Sequence, residues 1–222
     1  MNLTKLATIV ALAFCPAILW AQDNGRAIVV SGIGQVAAEP DMAVVSIGVT
    51  REALRAGDAM ADTSRAVEMV LATLTDAGIE PRDVQTSSIG LSPRWDHSDR
   101  NASPRVVGYV ASNALSIRVR DLAALGGLLD EVIGSGVNQM NGLSFTLANP
   151  RPTKDEARVK AVEDAIAKAR LMAQAAKVTL GPIRSITEGG GNPSVVRQFR
   201  REALSADVPI AGGEVDISAT VT

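Results

Sequence analysis

A few groups of residues have types and spacings that could do chemistry. Gly32-Ile33-Gly34 follows an apolar run and begins like a phosphate-cradling turn. The dinucleotide fingerprint needs a third glycine and a strand that turns into a helix. Here Ala37 stands at the third position and Pro40 leads into another strand, so the glycines read as easing a strand edge or bulge. His97 is the single histidine and sits in the polar run Trp95-Asp96-His97-Ser98-Asp99. A Ser-His-Asp triad would have to be built around it, yet the chain has no G-x-S-x-G elbow, so His97 reads as a solvated loop residue. Asp99 to Ser103 starts like a calcium loop, but Pro104 and Val110 stand where a glycine and a glutamate are needed. Asn101-Ala102-Ser103 is a glycosylation sequon. Asp155, Glu156, Glu163 and Asp164 are interleaved with Arg158, Lys160, Lys168 and Arg170, the pattern of a solvated mixed-charge helix face. Arg197, Arg200 and Arg201 form a basic cluster that could contact an anionic partner, although Glu202 and Asp207 dilute it.

Composition narrows the field further. The 222 residues carry 22 basic and 24 acidic side chains, a formal charge of −2, one His and one Cys. One Cys excludes an intramolecular disulfide framework, and one Cys with one His excludes the common zinc sites. The near-neutral charge gives no global attraction to nucleic acid. Aromatic residues are only 3% of the chain, which argues against stacking platforms for single-stranded nucleic acid. No cofactor motif is evident.

Residues 1–21 read as a secretory signal peptide. Lys5 supplies the charged start, Leu6 to Trp20 the apolar run, and Ala21 the small residue at the cleavage point. The run is short for a membrane span, and Gln22-Asp23-Asn24 follows it. Phe14 before Cys15 disfavours lipoprotein processing, so Cys15 leaves with the signal. The expected mature chain is exported, has no integral membrane span and forms a single domain over 22–222.

These residues must be held by alternating strands and helices. Strands are expected at Ala27–Val36 and Met42–Val49, close enough to pair as a hairpin across Glu39-Pro40-Asp41. A helix is expected over Ala53–Ala77, its stripe being Met60, Val67, Val70, Leu71 and Leu74, with Gly78 at its end. A strand over Asp83–Ser92 and a loop over Pro93–Pro104 precede a long strand, Val106–Arg120. Its Tyr109, Ala111, Asn113, Leu115, Ile117 and Val119 should face the core. Asp121 is placed as the N-cap of a second helix that ends at Gly134 and Gly136. Met140–Leu147 reads as a strand. A third helix opens at Pro152-Thr153 with Thr153 and Glu156 as a capping box. Its expected stripe is Val162, Ile166, Ala169, Met172 and Ala176, and Gly181-Pro182 closes it. A strand at Ile183–Thr187 and a terminal strand at Glu214–Thr222 flank a long flexible excursion, 189–213. The order predicts an α+β fold, a mixed and largely antiparallel sheet with about three helices packed mainly on one face.

Four stretches together resemble the SIMPL-domain family, in its bacterial exported branch. They are Val30-Ser31-Gly32-Ile33-Gly34-Gln35-Val36 with Pro40-Asp41-Met42-Ala43, and Gly108-Tyr109-Val110-Ala111-Ser112-Asn113 running into Ile117-Arg118-Val119-Arg120-Asp121-Leu122. The others are Gly136-Val137-Asn138 with Leu143-Ser144-Phe145, and Asp155-Glu156-Ala157-Arg158 through Ala169-Arg170 and Ala173 to Leu180-Gly181. The resemblance covers essentially the whole mature chain. It implies an α+β fold, export to the periplasm and, in some members, ring-like or channel-like homo-oligomers. It carries no catalytic residues, and it implies a link to oxidative and envelope stress. The reading is therefore a non-enzymatic envelope protein acting by self-assembly or by binding an envelope protein partner. The alternative is a module that binds a small hydrophobic or flavin-like ligand between sheet and helices. A hydrolase built on His97 ranks last.

Overall fold

A computed structural model describes residues 26–97, 103–189, 197–198 and 210–222. In chain order the elements are β1 (Gly32–Ala38), β2 (Met42–Ala53), α1 (Ala56–Asp76), β3 (Val84–Asp96), β4 (Arg105–Val119), α2 (Leu125–Gly134), β5 (Gln139–Thr146), α3 (Arg151–Ala175), β6 (Arg197–Gln198) and β7 (Glu214–Val221). A single turn of 3-10 helix, Pro81–Asp83, leads into β3. The fold is α+β.

The strands form two sheets. The larger has the order β3-β4-β2-β5 and the smaller β1-β7-β6, and every strand pairing among the described residues is antiparallel. The expected single mixed sheet is thus divided. The expected β1–β2 hairpin does not form: β1 pairs along its whole length with β7, Gly32 opposite Val221 and Ala38 opposite Val215. The turn at Pro40 carries the chain from one sheet to the other. Asp41 fixes the crossing, its Oδ1 accepting the backbone N–H of Ala148 at 2.6 Å.

Each sheet has its own core. The larger buries Val45, Ile47 and Val49 of β2 and Leu115, Ile117 and Val119 of β4 beneath Val67, Val70 and Leu74 of α1 and Leu125, Leu129 and Val132 of α2. The alternation expected in β4 is observed, and α1 buries the predicted Val67, Val70 and Leu74, with Gly78 in the left-handed region at φ 80°. The smaller sheet buries Val36, Val215, Ile217, Ala219 and Val221 against Ala157 and Ala161 of α3.

The α3 stripe differs from the predicted one. Its buried residues are Ala157, Ala161 and Ala173, whereas Met172 is exposed. The reason lies in β1. A Cβ at Gly32 would stand 2.0 Å from the carbonyl oxygen of Ala161, and one at Gly34 would stand 1.9 Å from that of Ala157. Glycine on the strand and alanine on the helix let two backbones come into direct contact. A helix packed this closely buries its small residues, and its larger ones are left at the flanks.

Local signals also settle differently at several ends. Asp121 Oδ1 accepts the N–H groups of Ala123 and Ala124, so it caps the turn before α2 rather than the helix itself. The Thr153–Glu156 box is not formed, because α3 begins earlier, with Pro152 in the first turn. The same helix stops at Ala175, ahead of Gly181, where Lys177 takes the left-handed conformation at φ 55°. The predicted 93–104 loop is shortened: β3 runs on to Asp96 and β4 starts at Arg105. Ala27–Val30 precedes β1 without joining it, and Ile183–Thr187 is not a strand. At its far end Thr187 exchanges backbone hydrogen bonds with Thr222, just past β7, and Gly189 beyond it donates to the carbonyl of Thr220. Most of the 189–213 excursion lies outside the described residues.

Gly34→Ala forces a side chain into a backbone carbonyl and should cost about 3 kcal/mol or more, at the upper end of overpacking penalties. Urea unfolding of the purified variant measures this. Gly127→Ala, where nothing lies within 4 Å, is the control and should leave stability unchanged or raised.

Candidate functional site

Among the described residues, the structure brings the Gly32-Ile33-Gly34 stretch against the charged residues of α3. Gly32 and Gly34 lie under α3 and serve packing, with no space for a phosphate beside them. His97 is exposed just beyond the end of β3. Three of the four acidic residues of α3 pair with its own basic residues: Asp155 with Arg158 at 2.6 Å, Glu156 with Lys160 at 2.9 Å, and Asp164 with Lys168 at 2.6 Å. They form a solvated face, as expected. Arg197 lies in β6, opposite Val215. Arg200, Arg201 and the Asn101 sequon lie outside the described residues, as do residues 1–21. Among the described residues no group of His, Cys, Asp and Glu side chains could hold a metal, and no helix is long and apolar enough to cross a membrane.

Some of the α3 charges also secure the glycine seam. Asp164 Oδ2 accepts the backbone N–H of Ile33 at 2.9 Å, and Lys168 Nζ donates to the carbonyl of Ser31 at 3.0 Å. The helix thereby satisfies polar backbone groups of an edge strand, which would otherwise be open to pairing with another chain. The Lys168 ammonium and the Ile33 N–H hold the Asp164 carboxyl below its ordinary value.

A second charged group was not visible in the sequence. Asp83 is only 5% exposed, and its carboxylate accepts from Arg120 Nε at 3.2 Å and Nη2 at 3.0 Å. Arg118 Nε lies 3.0 Å from the same carboxylate, and its Nη2 donates to the carbonyl of Arg82. Arg118 lies near the end of β4 and Arg120 one residue past it, and the two-residue spacing brings both guanidiniums to the same carboxylate. That spacing was legible. Their partner, 37 residues away from Arg120 in the chain, was not. The arrangement is a clamp that fastens the start of β3 to the end of β4, and all its carboxylate oxygens are engaged within it.

Two other surface features stand out. An open cavity of about 330 Å³ lies between the end of α1 and β3, lined by Leu71, Thr75, Ile79, Pro81, Val84 and Thr86 with Leu115 as its floor. A series of exposed apolar side chains runs along the chain from the last turns of α3 into the segment after it. Leu171 is 67% exposed, Val178 53% and Ile183 62%, and Met172, Leu180 and Ile186 are exposed beside them in the chain. Sequence reading had placed Met172 in a helix core and Ile183 and Ile186 in a strand.

The Arg120 hydrogen bonds, and the charge of Arg120 and its neighbours, hold the Asp83 carboxyl below its ordinary value of 3.8. A depressed carboxylate pKa gives stability that is present above the ordinary value and is lost as pH falls through the folded one. Asp83→Asn should therefore cost about 1–2 kcal/mol at neutral pH, where two half-exposed guanidiniums lose their acceptor. The difference from the unaltered protein should shrink as the pH drops below the ordinary carboxylate range. Urea unfolding over a pH series measures both effects.

Comparison with known proteins agrees with the architecture. The chain is 40% identical over 204 residues to the 26 kDa periplasmic immunogenic protein of Brucella melitensis biotype 1, covering 87% of this chain and 82% of that one. It is 30% identical over 183 residues to the uncharacterized protein YggE of Escherichia coli (strain K12), covering 81% of this chain and 74% of that one. The profile of the SIMPL family, described as a protein of unknown function (DUF541), matches residues 28–222. With the profile spanning both sheets and all three helices, the chain belongs to the SIMPL family.

Proposed function

We propose that this is an exported periplasmic protein, not an enzyme, that works in the cell envelope by self-assembly or by binding a protein partner. The observation that carries the reading is the exposed apolar surface at the end of α3, where Leu171, Val178 and Ile183 are each more than half exposed. So many exposed large apolar side chains in one short stretch of chain point to an interaction site. Export is supported by the n-region, apolar run and Ala21 of residues 1–21, and by relatives named as periplasmic. Arg197, Arg200 and Arg201 are proposed as a contact for an acidic partner surface. A role in oxidative or envelope stress fits an envelope location.

A second reading has one observation in its favour. The cavity between α1 and β3 is lined mainly by apolar residues, with Thr75 and Thr86 among them, a lining suited to a small hydrophobic ligand.

Light scattering of the chain from Gln22 onward should give a mass that rises with concentration. Leu171→Asp combined with Ile183→Asp should lower it to that of one chain, and a single-chain mass at every concentration before substitution overturns assembly. Changing Arg197, Arg200 and Arg201 to Glu should weaken association, whereas an unchanged mass removes the three from the interface. For the second reading, an environment-sensitive apolar fluorophore should bind and be displaced by Leu71→Arg. Fluorescence unaffected by that substitution excludes the cavity.

A further inference from the structure

Asn141-Gly142 lies where β5 departs from regular pairing. Ser46 of β2 faces Gly142 and the next residue, Ile47, faces Met140, so Asn141 is the extra residue of a bulge. Strand β5 is at the edge of its sheet, with only β2 beside it. Asn141 and Gly142 are both exposed, and nothing lies within 4 Å of the position a Cβ of Gly142 would take. The absent side chain leaves the Gly142 nitrogen open to approach from the preceding side chain.

We infer that Asn141 is a self-modification site, at which the chain deamidates into aspartate and isoaspartate. The Gly142 nitrogen attacks Cγ of Asn141 and forms a five-membered succinimide ring. The Cγ–Nδ2 bond breaks, and Nδ2 leaves as ammonia with the proton given up by the Gly142 N–H. Water then adds to one of the two ring carbonyls, opening the ring to aspartate or to isoaspartate. The nucleophile and electrophile belong to adjacent residues, so no partner molecule has to be brought in except water. The bulge leaves Asn141 without a partner on β2, so its side chain can turn toward the Gly142 nitrogen, whereas a regular ladder would hold it extended. The product places a new carboxylate on an edge strand, a position where charge acts against edge-to-edge pairing. The isoaspartyl form adds one backbone methylene where the strand already carries an extra residue.

Other asparagines provide internal comparisons. Asn138 is held on both sides of its amide, accepting from Thr50 N–H at 2.8 Å and donating to Thr50 carbonyl at 2.9 Å. Asn113 lies on the interior strand β4, between Val49 and Ile89, and is followed by Ala114. Asn149 precedes Pro150, which has no N–H to give.

The test incubates the full chain at neutral pH and follows each asparagine by peptide mapping that separates aspartyl from isoaspartyl products. In the native protein Asn141 should convert at least roughly tenfold faster than Asn138 or Asn113, and within about tenfold of its own rate in guanidinium. A native rate more than about tenfold below the unfolded one means that the fold protects the site, and it overturns the proposal. Gly142→Ala, which the open space accommodates, should slow conversion at Asn141 by roughly tenfold while the melting curve is retained. An unchanged rate in that variant would exclude attack by the backbone nitrogen and would equally overturn it.

Discussion

The contact between β1 and α3 constrains more of this structure than any other. A strand and a helix ordinarily keep their backbones apart by the width of their side chains. Here Gly32 and Gly34 remove that layer on one side, and Ala157, Ala161 and Ala165 thin it on the other. The helix therefore rests on the strand itself, and its register along β1 is set by sterics rather than by apolar matching. Asp164 and Lys168 can reach the backbone at Ile33 and Ser31 only because the two elements are this close.

The division into two sheets follows from the same contact. β1 is committed to α3 on its face, and β7 takes the edge that a hairpin partner would have occupied. β2 is then free to lie at the centre of the larger sheet between β4 and β5. Its Val45, Ile47 and Val49 face α1 and α2. Pro40 and Asp41 mark the crossing. The Asp83–Arg118–Arg120 clamp plays a comparable part at the far end, holding β3 to β4 where the helical cover thins out. In both places a long-range polar contact fixes an element that apolar burial alone would leave loosely placed.

Close packing of small residues also bears on the surface. Leu171 and Met172 at the end of α3 are left out of the interface and, with Val178, Leu180, Ile183 and Ile186, lie open to solvent. In a protein of the SIMPL family, with relatives named as periplasmic, such a surface is the natural place to seek a partner. The cavity beside α1 has a different origin. Strand β3 is an edge strand whose exposed residues run along both faces, so the end of α1 leaves space beside it.

Much of the fold was legible because local chemistry wrote it into short stretches. The alternation of β4, the stripe of α1, the glycine at position 78 and the mixed-charge face of α3 each depend on neighbours a few residues away. The resemblance to the SIMPL family was carried by such stretches as well. The sequence by itself determined the α+β class and the strands and helices that survive with shifted ends, and its single Cys and single His exclude an intramolecular disulfide framework and the common zinc sites. The pairing of β1 with β7, the burial of alanines rather than Met172, and the partner of Arg118 and Arg120 were decided only in three dimensions. The physical reason is that strand pairing and close backbone contact are set by which surfaces meet. Two glycines announce that something comes close, but a chain read from end to end does not say which helix, some 130 residues later, will be the one to do so.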